Sequence, residues 1–273
     1  MEAVVMCSVV SISWLLASKL VVTNSICHDF FANIITFKIV KKSDWSLPIS
    51  LTIVFLVLSL MVLVIEALIF QSNTILIILL HVSAILFTFN LSEIFVTSTE
   101  DDDLLTAHIL SVFSARIFGF AFWYVALPGL YGGLLFFIID GVRASVIRSG
   151  NLSTLKQIKP VMVVYFIMMW VPARLLAATY ALVGDFETAT RCWSSQANQS
   201  GRGFSSLLIA TGAGALTTEV GGKWSADRAI GYTPLYGSNG NLVSKDISTR
   251  ASALFLRALG FWLMLVLVFR LLL

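Results

Sequence analysis

The chain has 273 residues, of which 58% are apolar and 12% charged, with a mean hydropathy of +0.91 and a formal net charge of +3. This much apolar length excludes a water-soluble domain, and so small a charge, scattered over connecting segments, gives no footing for nucleic-acid binding. The cysteines, Cys7, Cys27 and Cys192, form no CxxC and have no histidine cluster beside them, so they imply neither a disulfide framework nor a zinc site.

Met1-Glu2 places an acidic group ahead of the first apolar run, so residues 4–22 read as a retained span, with Lys19 able to reach the interface. Residues 26–40 mix apolar positions with His28, Asp29, Asn33 and Lys38, while Phe30, Ile34 and Phe37 share one face. That pattern predicts an interfacial helix. Trp45 and Pro48 then mark a membrane edge and a helix start. Residues 49–70 and 74–90 are apolar helices joined by Gln71-Ser72-Asn73, a turn short enough for a helical hairpin. Glu66 and His81 are its ionisable groups, at depths of roughly 9 and 13 Å from the turn at about 1.5 Å per residue. They form a candidate intramembrane pair, either proton-linked or ligand-binding, or simply neutral and bonded to each other.

Glu100-Asp101-Asp102-Asp103 heads a helix beginning near Leu104. Acids there offset the helix dipole, and Asp101, Asp102 and Asp103 are also a candidate Mg²⁺ site; a solvated cap is the competing reading. Residues 104–127 continue as one helix until Pro128-Gly129-Leu130-Tyr131-Gly132-Gly133 interrupts it, and a second arm follows over residues 134–149. A hairpin bent at this Pro/Gly segment puts Lys38, Lys41 and Lys42 on one face with Arg143, Arg148, Lys156 and Lys159. The positive-inside rule makes that face cytoplasmic, and the hairpin could be re-entrant.

Residues 161–183 have the length of a span yet contain Pro172 and Arg174. Proline removes a backbone donor, and an arginine within a bilayer costs at least about 2.5–3.5 kcal/mol on insertion scales. Ala173, Ala177 and Ala181 recur every fourth residue, with Gly184 beyond them, a small-residue stripe that admits close helix packing. The helix therefore reads as a central packed element presenting Arg174 to a polar interior, against the plainer reading that Arg174 snorkels. Residues 184–250 are polar and glycine-rich, with a short apolar stretch at 204–215, and residues 251–273 form a terminal span carrying Arg257 and Arg270.

Several motifs are missing. Gly221-Gly222-Lys223 lacks the upstream glycine and following hydroxyl of a phosphate-binding loop, and Gly212-Ala213-Gly214 lacks the third glycine of a dinucleotide fingerprint. No HExxH, GxSxG, heptad or internal repeat is present, and the last weakens a transporter reading based on Glu66 and His81.

Trp170-Val171-Pro172-Ala173-Arg174-Leu175, followed by Ala178-Thr179-Tyr180-Ala181-Leu182-Val183-Gly184, resembles the signature of AmpE-type inner-membrane proteins. These share a superfamily with the CobD/CbiB proteins of cobalamin biosynthesis, whose equivalent segment also contains Pro-Ala-Arg-Leu. Phe122-Trp123 with the 128–133 bend, Ala213-Gly214-Ala215-Leu216 with Gly221-Gly222, and Lys245-Asp246-Ile247 resemble further elements of that group. The resemblance covers roughly residues 95–273. It implies one of two roles. AmpE proteins are described as signalling proteins of β-lactamase regulation, with no established chemistry; CobD/CbiB proteins use ATP to join an aminopropanol phosphate to a corrinoid carboxylate. CbiB-like sequences carry Glu, Asn and Asp in the helix before the Phe-Trp pair. Here that helix reads Leu110-Ser111-Val112-Phe113-Ser114-Ala115-Arg116-Ile117, which favours the AmpE branch and leans away from catalysis.

The sequence thus predicts an all-α, polytopic membrane helix bundle in a bacterial inner membrane, with a Pro/Gly-bent hairpin and a glycine-rich extramembrane segment. Its single membrane domain divides into residues 1–92, 93–183, 184–250 and 251–273. Arg174, Asp140, Arg143 and Arg116 are expected to line a polar site beneath the hairpin, taking an anionic ligand or a membrane or cytosolic protein partner; alternatively they neutralise one another. Membrane lipids are the other expected partners. No cofactor is expected, Mg-ATP entering only under the CobD/CbiB reading.

Overall fold

The computed structural model describes residues 102–127, 131–149, 159–197, 203–226, 229–238 and 246–272. The elements expected at residues 4–22, 26–40 and 49–90, with Glu66 and His81, lie outside the described residues, as do Asp101 and Pro128. Among the described residues there are six helices and one strand pair: α1 (Asp102–Ala126), α2 (Tyr131–Ser149), α3 (Lys159–Val183), α4 (Phe186–Gln196), α5 (Phe204–Leu216), β1 (Glu219–Ala226), β2 (Ala229–Gly237) and α6 (Ile247–Leu272). Three of the described helical stretches are long and apolar enough to cross a membrane: α1, Met162–Val183 of α3, and Ile247–Phe269 of α6.

The chain separates into two compact units, one containing residues 119–168 and the other residues 94–118 and 169–273. In the first, the break after α1 is the expected one. A Cβ on Gly133 would lie 2.7 Å from the Phe120 ring, and one on Gly132 would collide with the Trp123 carbonyl oxygen. Residues so far apart in a continuous helix could not touch, so α1 and α2 fold back on each other at the Pro/Gly segment. The glycines allow the two backbones to close.

In the second unit, the Ala stripe of α3 is buried as its spacing predicts: Ala173 and Ala177 are 0% exposed and Ala181 is 1%. Gly184 continues it against α5, where an added Cβ would meet Ala215 Cβ at 2.6 Å. Thr179 Oγ1 accepts from the Trp262 indole at 2.7 Å, and Phe118 meets the same indole edge-on at 5.5 Å, so α1, α3 and α6 share one aromatic seam. Helix α1 contains a π-helical turn at Ile109–Phe113. There the Ser114 amide reaches Ile109 O, while the Leu110 carbonyl accepts from Ser114 Oγ at 2.7 Å and from the buried Tyr180 hydroxyl at 3.4 Å. Gly212 of α5 packs onto Leu110, where a Cβ would stand 2.8 Å from a Leu110 methyl.

In residues 184–250 one stretch left open is placed and one expectation is corrected. The apolar stretch near 204–215 forms α5, whose residues from Ser206 to Leu216 are all buried, so it is a core helix. The fold is also not purely helical, because β1 and β2 pair antiparallel. Val220 pairs with Tyr236 and Gly222 with Thr233, leaving Pro234 and Leu235 opposite Gly221 alone, a bulge. Proline lacks the N–H a ladder needs and is tolerated at such a site. Gly221 and Gly222 adopt φ of 116° and 101°, a region that a Cβ disfavours. Val220 and Tyr236 pack with Ile209, Ala210 and Ala213 of α5. At the far end of β2 the Gln196 side-chain amide both donates to Gly237 O and accepts from Gly237 N, each at 2.7 Å.

Candidate functional site

Helix α2 sets Asp140 and Arg143 three residues apart, so they share a face. Asp140 is 2% exposed. Arg143 donates to its Oδ1 from both Nε, at 3.1 Å, and Nη2, at 2.7 Å. The guanidinium carbon sits 4.3 Å from the Tyr165 ring centroid, and Tyr165 stacks on Phe136 at 6.0 Å. Tyr165 and Phe136 are themselves buried, so the ion pair is roofed by aromatic surface. Water is thereby largely excluded from a charge pair whose separation would be costly. A guanidinium held in one plane by a carboxylate on its edge and a ring on its face is oriented for a second carboxylate or a phosphate.

The same unit holds a hydrogen bond between residues 45 apart. Pro172 cannot donate to the carbonyl four residues before it, that of Met168. The Trp123 indole Nε1 donates to that oxygen instead, at 3.2 Å. Trp123 therefore satisfies the acceptor that Pro172 leaves over, and both residues belong to segments that carry the family resemblance. Helical arithmetic identifies Met168 as the orphan; the sequence holds no sign that Trp123 fills it.

The remaining candidates are placed differently from the expectation. Arg174 is exposed, which corrects the buried guanidinium expected of it. Its Nη1 donates to Trp170 O at 3.1 Å, and its guanidinium carbon lies 4.1 Å from the Trp170 ring centroid. One helical turn of spacing lets Arg174 satisfy itself on its own helix, with a backbone acceptor and a cation–π face. Arg116 is half-buried in the same unit as Arg174, whereas Asp140 and Arg143 belong to the other. Within the expected set, Asp140 and Arg143 form a hydrogen-bonded ion pair. Tyr165 is the neighbour that sequence reasoning missed, since no local spacing links it to α2.

Of the acidic cluster, Asp102 is engaged structurally. Asp102 Oδ2 accepts from the backbone N–H of Ile247 at 3.0 Å, capping the start of α6 from the start of α1. Among the described residues no group of three or more His, Cys, Asp or Glu side chains could hold a metal ion. Beyond the spans, Asp185 caps α4 by accepting from Thr188 N at 2.8 Å. That bond to the amide holds its carboxyl below the usual carboxylate range. Burial pushes the Cys192 thiol up, with Arg191 opposing, as befits an unreactive thiol.

No family model and no solved structure matches the chain. Over 101 residues it is 34% identical to the cobalamin biosynthesis protein CobD of Stutzerimonas stutzeri (strain A1501). Over that stretch the chain is similar to CobD. The likeness takes in 37% of this chain and spans about a third of that relative, 33% of its length. It suggests a superfamily of the CobD/CbiB type. Nothing in the comparisons points to the AmpE branch or to β-lactamase regulation, so that narrower expectation is without support. A membrane protein is the consistent setting, given this homology and the three apolar helices.

Proposed function

We propose that this chain is a multi-pass protein of a bacterial inner membrane that works in corrinoid assembly, in the manner of CobD/CbiB proteins. The observation that carries the reading is the 34% identity to CobD. Its substrates would be a corrinoid carboxylate and a phosphorylated amine, joined at the expense of Mg-ATP. The Asp140–Arg143 pair supports this reading as a pre-oriented cation able to grip one of the anionic groups. The basic segment at 140–160 would face the cytoplasm, where nucleotide is supplied. Expression of the chain in a bacterium deprived of its own CobD/CbiB protein tests the proposal: restored cobalamin-dependent growth, lost again in Arg143→Gln, is expected. A fully expressed, membrane-inserted chain that restores no growth would contradict it.

A second reading is a regulatory membrane protein of the AmpE type, without chemistry. What favours it is that the helix from Leu110 to Ile117 carries no carboxylate or amide, and that its π-turn carbonyl at Leu110 is taken up by the Ser114 and Tyr180 hydroxyls. Under this reading Mg-ATP does not bind. Equilibrium dialysis of the purified chain against labelled nucleotide separates the two, saturable Mg²⁺-dependent binding removing the regulatory alternative.

A further inference from the structure

Between the end of α3, the end of α5 and the first half of α6 lies a cavity of about 170 Å³. Two arginines of α6, Arg250 and Arg257, line it over a floor of small residues, Gly184, Ala215 and Ala253. Seven residues make two helical turns, so both arginines sit on one face, with Ala253 between them leaving the space open. The floor is closely packed: a Cβ on Gly184 would come within 2.7 Å of the Ala215 carbonyl oxygen. Both arginines are exposed, and none of the described lining residues is acidic. Arg250 spends one donor on Leu216 O, at 3.0 Å. Arg257 makes no hydrogen bond or ion pair among the described residues.

From this geometry we infer that the Arg250–Arg257 cavity binds the phosphate of a phosphate ester. Guanidinium forks match phosphate oxygens, and two arginines at the rim of one open pocket can reach a doubly charged group placed there. A volume of this size admits a phosphate with attendant waters, each of which takes about 30 Å³. The source is most consistent with a phospholipid headgroup. Exposed apolar side chains begin on α6 at Leu256 and continue through Phe261, Met264 and Phe269, which sets Arg257 at the head of a lipid-facing stretch. The site shares no residue with the Asp140–Arg143 pair and does not depend on the corrinoid reading.

The test uses the full chain, purified in a phosphate-free detergent. Glycerol phosphate and phosphatidylglycerol are titrated separately, bound stoichiometry being read by native mass spectrometry. One equivalent of phosphatidylglycerol is expected, weakened about ten- to a hundredfold in Arg257→Gln, the loss of one charge-assisted contact. Arg191→Gln, which alters a solvent-exposed pair on α4, is expected to leave binding unchanged. Saturable binding of glycerol phosphate with the same dependence on Arg257 supports the phosphate site while moving its source to a soluble ester. Failure of both ligands to bind, or binding indifferent to Arg257→Gln and Arg250→Gln alike, overturns the assignment. Should Arg250→Gln disturb folding by releasing Leu216 O, Arg257→Gln decides alone, because Arg257 makes no hydrogen bond or ion pair among the described residues.

Discussion

If Trp123 occupies the acceptor that Pro172 vacates, Trp123→Phe and Pro172→Ala must interact. Removing the indole N–H leaves the largely buried Met168 carbonyl unsatisfied, at a cost of about 1–3 kcal/mol, in surroundings that offer little water as a substitute. With alanine at 172 the helix regains its own amide donor to that carbonyl, so the same Trp123→Phe change loses only packing. The difference between the two costs is a coupling energy of about 1–2 kcal/mol, roughly tenfold in the unfolding equilibrium, whereas independent sites add to within about 0.5 kcal/mol. Reversible unfolding of the four variants in mixed micelles, followed by circular dichroism against detergent composition, measures it. Packing lost with the indole and with the proline ring cancels in the cycle. Equal costs of Trp123→Phe in both backgrounds would refute the reasoning and leave the hydrogen bond without energetic consequence.

Three further outcomes follow from the same geometry and can be measured by the same unfolding titration or by hydrogen exchange. Gly132→Ala and Gly133→Ala drive a methyl into the Trp123 carbonyl and the Phe120 ring, and are each expected to cost about 1–3 kcal/mol, while Gly141→Ala, with nothing within 4 Å, is neutral or gains up to about 1 kcal/mol. Asp140→Asn strands Arg143 beneath Tyr165 and is expected to cost about 3–5 kcal/mol, more than removing both charges together in Asp140→Leu with Arg143→Met; the reverse order would show that the pair is not desolvated. Asp185 binds its proton less readily folded than unfolded, so its cap is present above the ordinary carboxylate range and is lost as pH falls through the lowered folded value. Exchange at the Thr188 amide should therefore quicken beyond its intrinsic rate as pH falls below the ordinary carboxylate range, and Asp185→Asn, which caps without a charge, should abolish that pH dependence.

The sequence carried the features that depend on residues close along the chain. The Pro128 to Gly133 break, the Ala173/Ala177/Ala181 stripe, the apolar helices α1 and α6 and the Asp140–Arg143 spacing all follow from helical periodicity and the backbone demands of proline and glycine. What it concealed depends on distant partners. The β-hairpin is obscured because Gly221, Gly222, Gly231 and Pro234 break the alternation of a strand, and its register is set by Val220 and Tyr236 packing on α5. The π-turn has no local signature, since it is stabilised by Tyr180, seventy residues on. Arg174 misled for a different reason. A charge in an apolar helix draws the search to a buried partner, yet Trp170 one turn earlier supplies both a carbonyl and a ring. Asp102 likewise reads as a solvated acid until α6 arrives over it.

The corrinoid reading is tested most directly by supplying the purified, detergent-solubilised chain with a corrinoid carboxylic acid, an aminopropanol phosphate and Mg-ATP, then following the corrinoid by mass spectrometry. The account predicts an ATP-dependent mass gain equal to the amine less one water, reduced severalfold or more in Arg143→Gln. Unchanged corrinoid with folded protein and all three substrates present would contradict it.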